Sequence, residues 1–231
     1  IVSRFKSLME EEVEEAMELA QTRNKDDSAV RYAIAHLIAQ LYDQTSQEFH
    51  ELHRQLAQVF ATSSSSTASS SSTTDSADSS DQKAPSQQSD AVPDGMWNAA
   101  LLHLRGEHAS HVASPDKPHH LLSRIDLDAI LSAFHQRWKS TENGKFVQAV
   151  RKLAVKLLLN CWEMHLSSPQ VHLSWDVERY REGFNKSRNR AQPAGKESSA
   201  IPWRPCVLVN SGGDLRGSAK GELLLVRKEQ I

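Results

Sequence analysis

The chain has 231 residues, 39% of them hydrophobic and 24% charged, with a formal net charge of −2. Such a composition fits one or two compact bodies diluted by a polar stretch. It excludes a membrane-spanning helix, because the longest apolar run, Leu153 to Trp162, is broken by Lys156 and Asn160 and falls well short of the roughly 20 residues a span needs.

Taken in chain order, Phe5, Leu8, Met9, Val13, Ala16, Met17 and Ala20 recur at steps of three and four, the mark of one apolar stripe on an amphipathic helix. Its opposite face carries Glu10, Glu11, Glu12, Glu14, Glu15 and Glu18. Asp26, Asp27 and Ser28 are N-cap candidates for a second helix, whose stripe runs Val30, Ala33, Ile34, Leu37, Ile38, Leu41, Tyr42, Phe49, Leu52, Leu56, Val59 and Phe60. The second helix outruns the first, so its far end needs a partner from later in the chain.

From Thr62 to Asp94 the chain is Ser, Thr, Asp, Gln and Ala with almost no large apolar side chain. A segment of that kind cannot offset its own ordering entropy and is expected to be disordered. Since the second helix requires a partner beyond it, residues 62–94 read as a Ser-rich insertion within one domain, 1–231, rather than as a linker between two.

Beyond the tract, Trp97, Ala100, Leu101 and Leu104 predict a short helix ended by Gly106, then a loop carrying His and Pro up to His120. A capped helix follows, from Asp126 or Asp128 to Trp138, with Ile130, Leu131 and Phe134 on one side. After Asn143-Gly144, the residues Phe146, Val147, Val150, Leu153, Ala154, Leu157, Leu158 and Cys161 form the most apolar helix, expected at the core. Ser167-Ser168-Pro169 ends it. Val171, Leu173 and Trp175 then alternate with polar residues as in a short strand, Val207-Leu208-Val209 follows Pro205, Ser211-Gly212-Gly213-Asp214 is a turn, and Glu222 to Arg227 reads as a further strand. The predicted fold is mainly α with a small β element: a helical bundle including a long N-terminal helical hairpin, with short C-terminal strands.

Few residues carry chemistry on their own. Arg179, Arg181, Lys186, Arg188 and Arg190 form a basic stretch suited to phosphate, although Asn185, Ser187, Asn189, Pro193 and Gly195 equally suit a solvated loop. Trp203, flanked by Pro202 and Pro205, is a candidate exposed contact for a membrane or partner, and Trp175 a second. His103, His108, His111, His119 and His120 cluster around the predicted loop, but no Cys or acidic residue accompanies them at metal-ligand spacing. Cys161 and Cys206 lack such spacing too and read as reduced, partly buried thiols of an intracellular protein. The glycines at 212–213 lack the Gly-Lys-Ser/Thr of a phosphate loop, and no Gly-x-Ser-x-Gly elbow is present. The chain begins at Ile1 with no basic segment leading into an apolar one, and is expected to be an excised fragment.

Several short patterns share an order: Ser3-Arg4-Phe5 opening a long helical pair, Leu41-Tyr42-Asp43 within it, the apolar helix Leu157 to Trp162, then Val207-Leu208-Val209 and Gly221-Glu222-Leu223. In that order and spacing the chain resembles the C-terminal domain of the mitochondria-eating protein family over most of both apolar blocks, and departs from it in the Ser tract and the histidine loop. The resemblance implies a non-enzymatic role in mitochondrial quality control and mitophagy, in the cytoplasm at mitochondria, with the anionic lipid cardiolipin as ligand and no cofactor or metal. It carries no functional residue onto a position of this chain.

Two readings compete. One is a lipid- or partner-binding module using Arg179, Arg181, Lys186, Arg188, Arg190 and Trp203; nucleic acid is not expected as a partner. The other is a structural self-association domain of a larger scaffold, pairing through the stripe of the long N-terminal helix.

Overall fold

The spacing at the start of the chain becomes α1 (Val2–Gln21), and all seven stripe residues from Phe5 to Ala20 are buried. The computed structural model describes residues 1–21, 27–66, 94–114, 119–138, 144–186, 198–211 and 214–227. The second stripe becomes α2 (Asp27–Ser66), longer than its periodicity suggests and about 60 Å from end to end. Residues 62–66, placed in the Ser tract by composition, continue this helix, and Asp94 already opens the next; residues 67–93 lie outside the described residues.

The partner that α2 requires is α6 (Gly144–Leu166), the most apolar helix, which packs against both α1 and α2. Leu153, Leu157, Leu158 and Trp162 on α6 are fully buried, and each side chain of this size contributes about 2 to 3 kcal/mol when removed from water. Near the middle of α2, Phe49 meets Trp162 edge-on at 6.0 Å and Trp97 at 5.5 Å. One apolar cluster therefore runs from Phe5 to Val207 and draws on both sides of the Ser tract.

Trp97 belongs to α3 (Asp94–Ala113), which corrects the expected stop at Gly106. The helix runs straight through that glycine, because Trp97, Leu101, Leu104, His108 and His111 form one inward row at alternating steps of four and three. Burial along that row outweighs the roughly 1 kcal/mol that a mid-helix glycine costs. The expected histidine loop is thus largely helical: His108 and His111 lie on α3, and His119 caps the five-residue α4 (His120–Arg124). In α5 (Leu127–Trp138) the cap is Asp126, whose Oδ1 accepts from the Ala129 amide at 2.9 Å.

The C-terminal strands, the expected small β element, form two three-stranded sheets. In the first, β4 (Cys206–Ser211) lies between β1 (Val171–Ser174) and β5 (Asp214–Ala219), antiparallel to both. Ser211 at the end of β4 pairs with Asp214 at the start of β5, while Gly212 and Gly213 of the expected turn lie outside the described residues. In the second, β6 (Gly221–Arg227) pairs parallel with β2 (Phe184–Lys186) and antiparallel with β3 (Ser198–Arg204), the latter bulged between Pro202 and Arg204. Part of the expected basic loop is accordingly ordered as a 3-10 turn, Arg181–Gly183, leading into β2.

Gly221 is the point where these pieces come closest. A Cβ there would lie 2.5 Å from the Arg204 carbonyl oxygen and 2.7 Å from the Cys206 nitrogen, so only glycine fits. Close below, Phe184, Cys206 and Leu208 make a second, small core, with Val177, Tyr180 and Leu223 against it.

Candidate functional site

Asp176 starts the turn that displays the basic residues. Its Oδ1 accepts from the Arg179 amide at 2.9 Å, its carbonyl accepts from the Tyr180 amide at 3.1 Å, and the Tyr180 carbonyl accepts from Gly183 at 2.7 Å. Phe184, next in sequence, is fixed in the small core and paired to Gly221. The turn is held at both ends, and the exposed Arg179 and Arg181 side chains stand on it at the mouth of a cleft of about 590 Å³. Lys220, from the β5–β6 connection, completes three cations around the cleft; Glu178 and Glu182 share its rim, and Tyr180 and Leu208 add apolar surface. The Arg179 guanidinium lies 5.4 Å from the Tyr180 ring centroid.

Most of the described helical cations, by contrast, are ion-paired. On the helices Arg4 meets Glu163 at 2.5 Å, Arg124 meets Glu48 at 2.7 Å, Arg151 meets Asp128 at 2.5 Å, and Lys152 and Lys156 both meet Glu12. Among the described residues, no carboxylate lies within ion-pair distance of Arg179, Arg181 or Lys220.

Of the other residues named from sequence, Lys186 ends β2 with its side chain outside the described residues, as are Arg188 and Arg190 altogether. Trp203 is not a surface contact. It is 1% exposed, clamped between the guanidinium carbons of Arg31 and Arg204 at 4.6 and 4.3 Å from its ring centroid. Arg204 is itself tied to Glu14 at 3.2 Å, Glu222 at 3.4 Å and the Met9 carbonyl at 3.1 Å, so this tryptophan joins β3 to the helices. Trp175 is half-buried, 6.0 Å from the Tyr42 ring. Lys220 was missed because a lone lysine after Ala219 shows no pattern; only pairing of β2 with β6 brings it beside the turn.

The histidines assemble, but into a packed group. His108 Nδ1 lies 3.3 Å from His119 Nε2, the His119 Nδ1 accepts from the Leu121 amide at 3.2 Å, and the His119 ring lies 5.0 Å from His111 and stacks at 5.2 Å on His120. His120 Nδ1 sits 3.1 Å from Glu107, whereas His103 is exposed. Burial, with His120, His108 and His111 alongside, pushes His119 down to about 4, which keeps it neutral. The nitrogens of His119 are spent on a backbone cap and a neighbouring ring. Among the described residues, no group of three or more His, Cys, Asp or Glu side chains is placed to hold a metal ion. Both cysteines are buried free thiols; burial pushes Cys161 up to about 12 and also raises Cys206, so neither supplies a thiolate nucleophile at neutral pH.

No family model, no curated protein and no solved structure matches this chain significantly.

Proposed function

We propose that the chain is a non-enzymatic binding module that docks on an anionic lipid surface through the cleft of Arg179, Arg181 and Lys220. The observation that carries this reading is the segregation of charge: most helical cations are ion-paired, while these three, on the strand end, have no carboxylate within ion-pair distance among the described residues. A basic residue close to an anionic membrane contributes about 1 kcal/mol. Lys186, Arg188 and Arg190 follow the same turn in sequence and add to its positive charge. The resemblance to the mitochondria-eating protein family supports cardiolipin as the lipid and mitochondrial quality control as the setting. Among the described residues, no helix is long and apolar enough to cross a membrane, so the contact proposed is peripheral.

The competing reading, self-association through α2, has little surface to use. Its stripe is buried from Val30 to Leu41 and again at Phe49, and Val59 is its one large apolar side chain left exposed among the described residues.

Co-sedimentation with phosphatidylcholine vesicles of rising cardiolipin content tests the proposal. Binding should grow with cardiolipin and weaken with salt. Replacing Arg179, Arg181 and Lys220 together by Gln should cost about 3 kcal/mol, a drop on the order of a hundredfold in partition. Sedimentation unchanged by that triple replacement would sink the reading.

A further inference from the structure

Two histidines at the junction of α3 and α4 leave no nitrogen for an added proton. His119 Nδ1 accepts from the Leu121 amide at 3.2 Å and so caps α4, which places the proton of this neutral ring on Nε2. That Nε2 lies 3.3 Å from His108 Nδ1, which must then accept. The proton of His108 is on its own Nε2, facing Glu163 Oε2 at 3.9 Å. The direction of the chain is set at its start by a backbone N–H, which can only donate. A second proton on His119 goes to Nδ1, where it confronts the Leu121 N–H; on His108 it goes to Nδ1, where it confronts His119. Either one breaks a hydrogen bond.

The surroundings do not absorb the charge. On α3, the His111 ring lies 5.0 Å from that of His119, and Glu107 is turned to His120 Nδ1 at 3.1 Å. On α4, His120 stacks on His119 at 5.2 Å and meets Trp162 of α6 edge-on at 5.3 Å. Glu163 of α6 already holds Arg4 of α1 at 2.5 Å, and beyond them Lys156 holds Glu12. His119 and His108 are 2% and 6% exposed, and burial is the chief cause that lowers the proton affinity of each.

With five residues, α4 is too short to hold itself and depends on its ties. Its far end is held by carboxylates: Arg124 meets Glu48 of α2 at 2.7 Å, and Asp126 caps α5. Its near end is held by imidazole. We propose that His108 and His119 form an acid-released latch: proton uptake by either ring frees the first turn of α4 from α3 and uncovers Leu121 and the edge of Trp162, while Arg124 keeps α4 tethered. Leu121 is fully buried in the closed form, so release presents apolar surface that the neutral chain hides. The latch lies on the helices and stands independently of the lipid reading.

The test uses the full chain labelled with nitrogen-15. Above about pH 7, imidazole nitrogen spectra should show His108 and His119 as Nε2–H tautomers. Below about pH 6.5, exchange protection of the Leu121 and Leu122 amides, corrected for intrinsic rates, should fall about tenfold per pH unit for each ring that takes up a proton. Leu157 and Leu158 in α6 should lose less over the same range. His119→Asn puts an acceptor that does not titrate at the cap, and should hold the protection of both amides level with that of α6. An Nδ1–H tautomer in either ring, equal losses in α4 and α6, or an equally steep fall in folded His119→Asn would each overturn the proposal. Should that variant fail to fold, the unmodified chain decides: a doubly protonated His119 with Leu121 still protected would overturn it too.

Discussion

Burial decides the chemistry of the histidines. His119 and His165 are pushed down to about 4, and His108, His135 and His172 are lowered as well, in each case chiefly because burial penalises the charged ring. In the unfolded chain a histidine titrates near about 6.5, so below that pH the unfolded state binds protons that the native state lacks. Their contribution is therefore fully present above about pH 7 and is lost as the pH falls toward 4, by up to about 1.4 kcal/mol per pH unit for each ring that stays neutral. Glu12 acts with the same sign at lower pH: burial would raise its carboxyl, but hydrogen bonds from Lys156 and Lys152 hold it below its ordinary value. The melting temperature followed by circular dichroism should be highest near neutrality and fall steeply between about pH 7 and 5; a flat profile would mean that the native rings accept protons freely. At this scale the sequence is an uneven guide. Trp203 between prolines looks like a surface residue, but Arg31, distant in sequence, and its neighbour Arg204 both lie over its ring, and it is buried. Asn160, by contrast, was visible as a break in an apolar run, but only the fold shows its carboxamide buried with no hydrogen-bond partner among the described residues.

At the level of elements, Gly221 ties the strand end together. Its backbone contacts leave no room for a methyl group: Arg204, Cys206 and the Phe184 ring would all lie within 2.7 Å of an added Cβ. Gly221→Ala should separate β6 from β2 and β3, at a cost of about 2 to 3 kcal/mol. For a chain of this size that is a fall of about 5–10 °C in melting temperature. Because β2 and the Arg181 turn are anchored through the same pairing, lipid partition should drop with it. An unshifted melting temperature in the purified variant would refute this account of the junction. Why the helices and the strands β1, β4 and β6 were legible while β2 and β5 were not follows from what each buries. The stripes of α1, α2 and α6 repeat over many turns and face a core. Strand β5 is exposed at five of its six positions, and β2 has three residues, so neither carries an alternating pattern. In α3 the signal was present but overridden: His108 and His111 continue the row begun by Trp97, Leu101 and Leu104, and Gly106 was given more weight than a single glycine in a helix carries.

For the whole molecule, the decisive relation is that helices on either side of the Ser-rich tract share one core. Phe5, Ile34 and Leu41 lie in the same cluster as Leu153, Leu158 and Trp162, so neither part has a complete apolar interior alone. The need for such sharing was readable in the unmatched length of α2, while its partners were not, because long-range packing leaves no local trace. The chain between the two helices has only to reconnect them. The His53 ring lies 4.5 Å from Trp97, close to the start of α3, and Ser66 lies 13 residues further along α2, about 20 Å away. Removing residues 71–88 leaves 67–70 and 89–93 to bridge that gap, and nine extended residues reach about 30 Å. A shorter connection also costs less entropy to close, by about 1 kcal/mol for a threefold reduction. The deletion should therefore keep a single cooperative unfolding transition, with a melting temperature unchanged or a few degrees higher, and should keep lipid partition at the strand end. Loss of cooperative unfolding would show that the tract takes part in the core and that two anchored helices are not enough to hold the halves together.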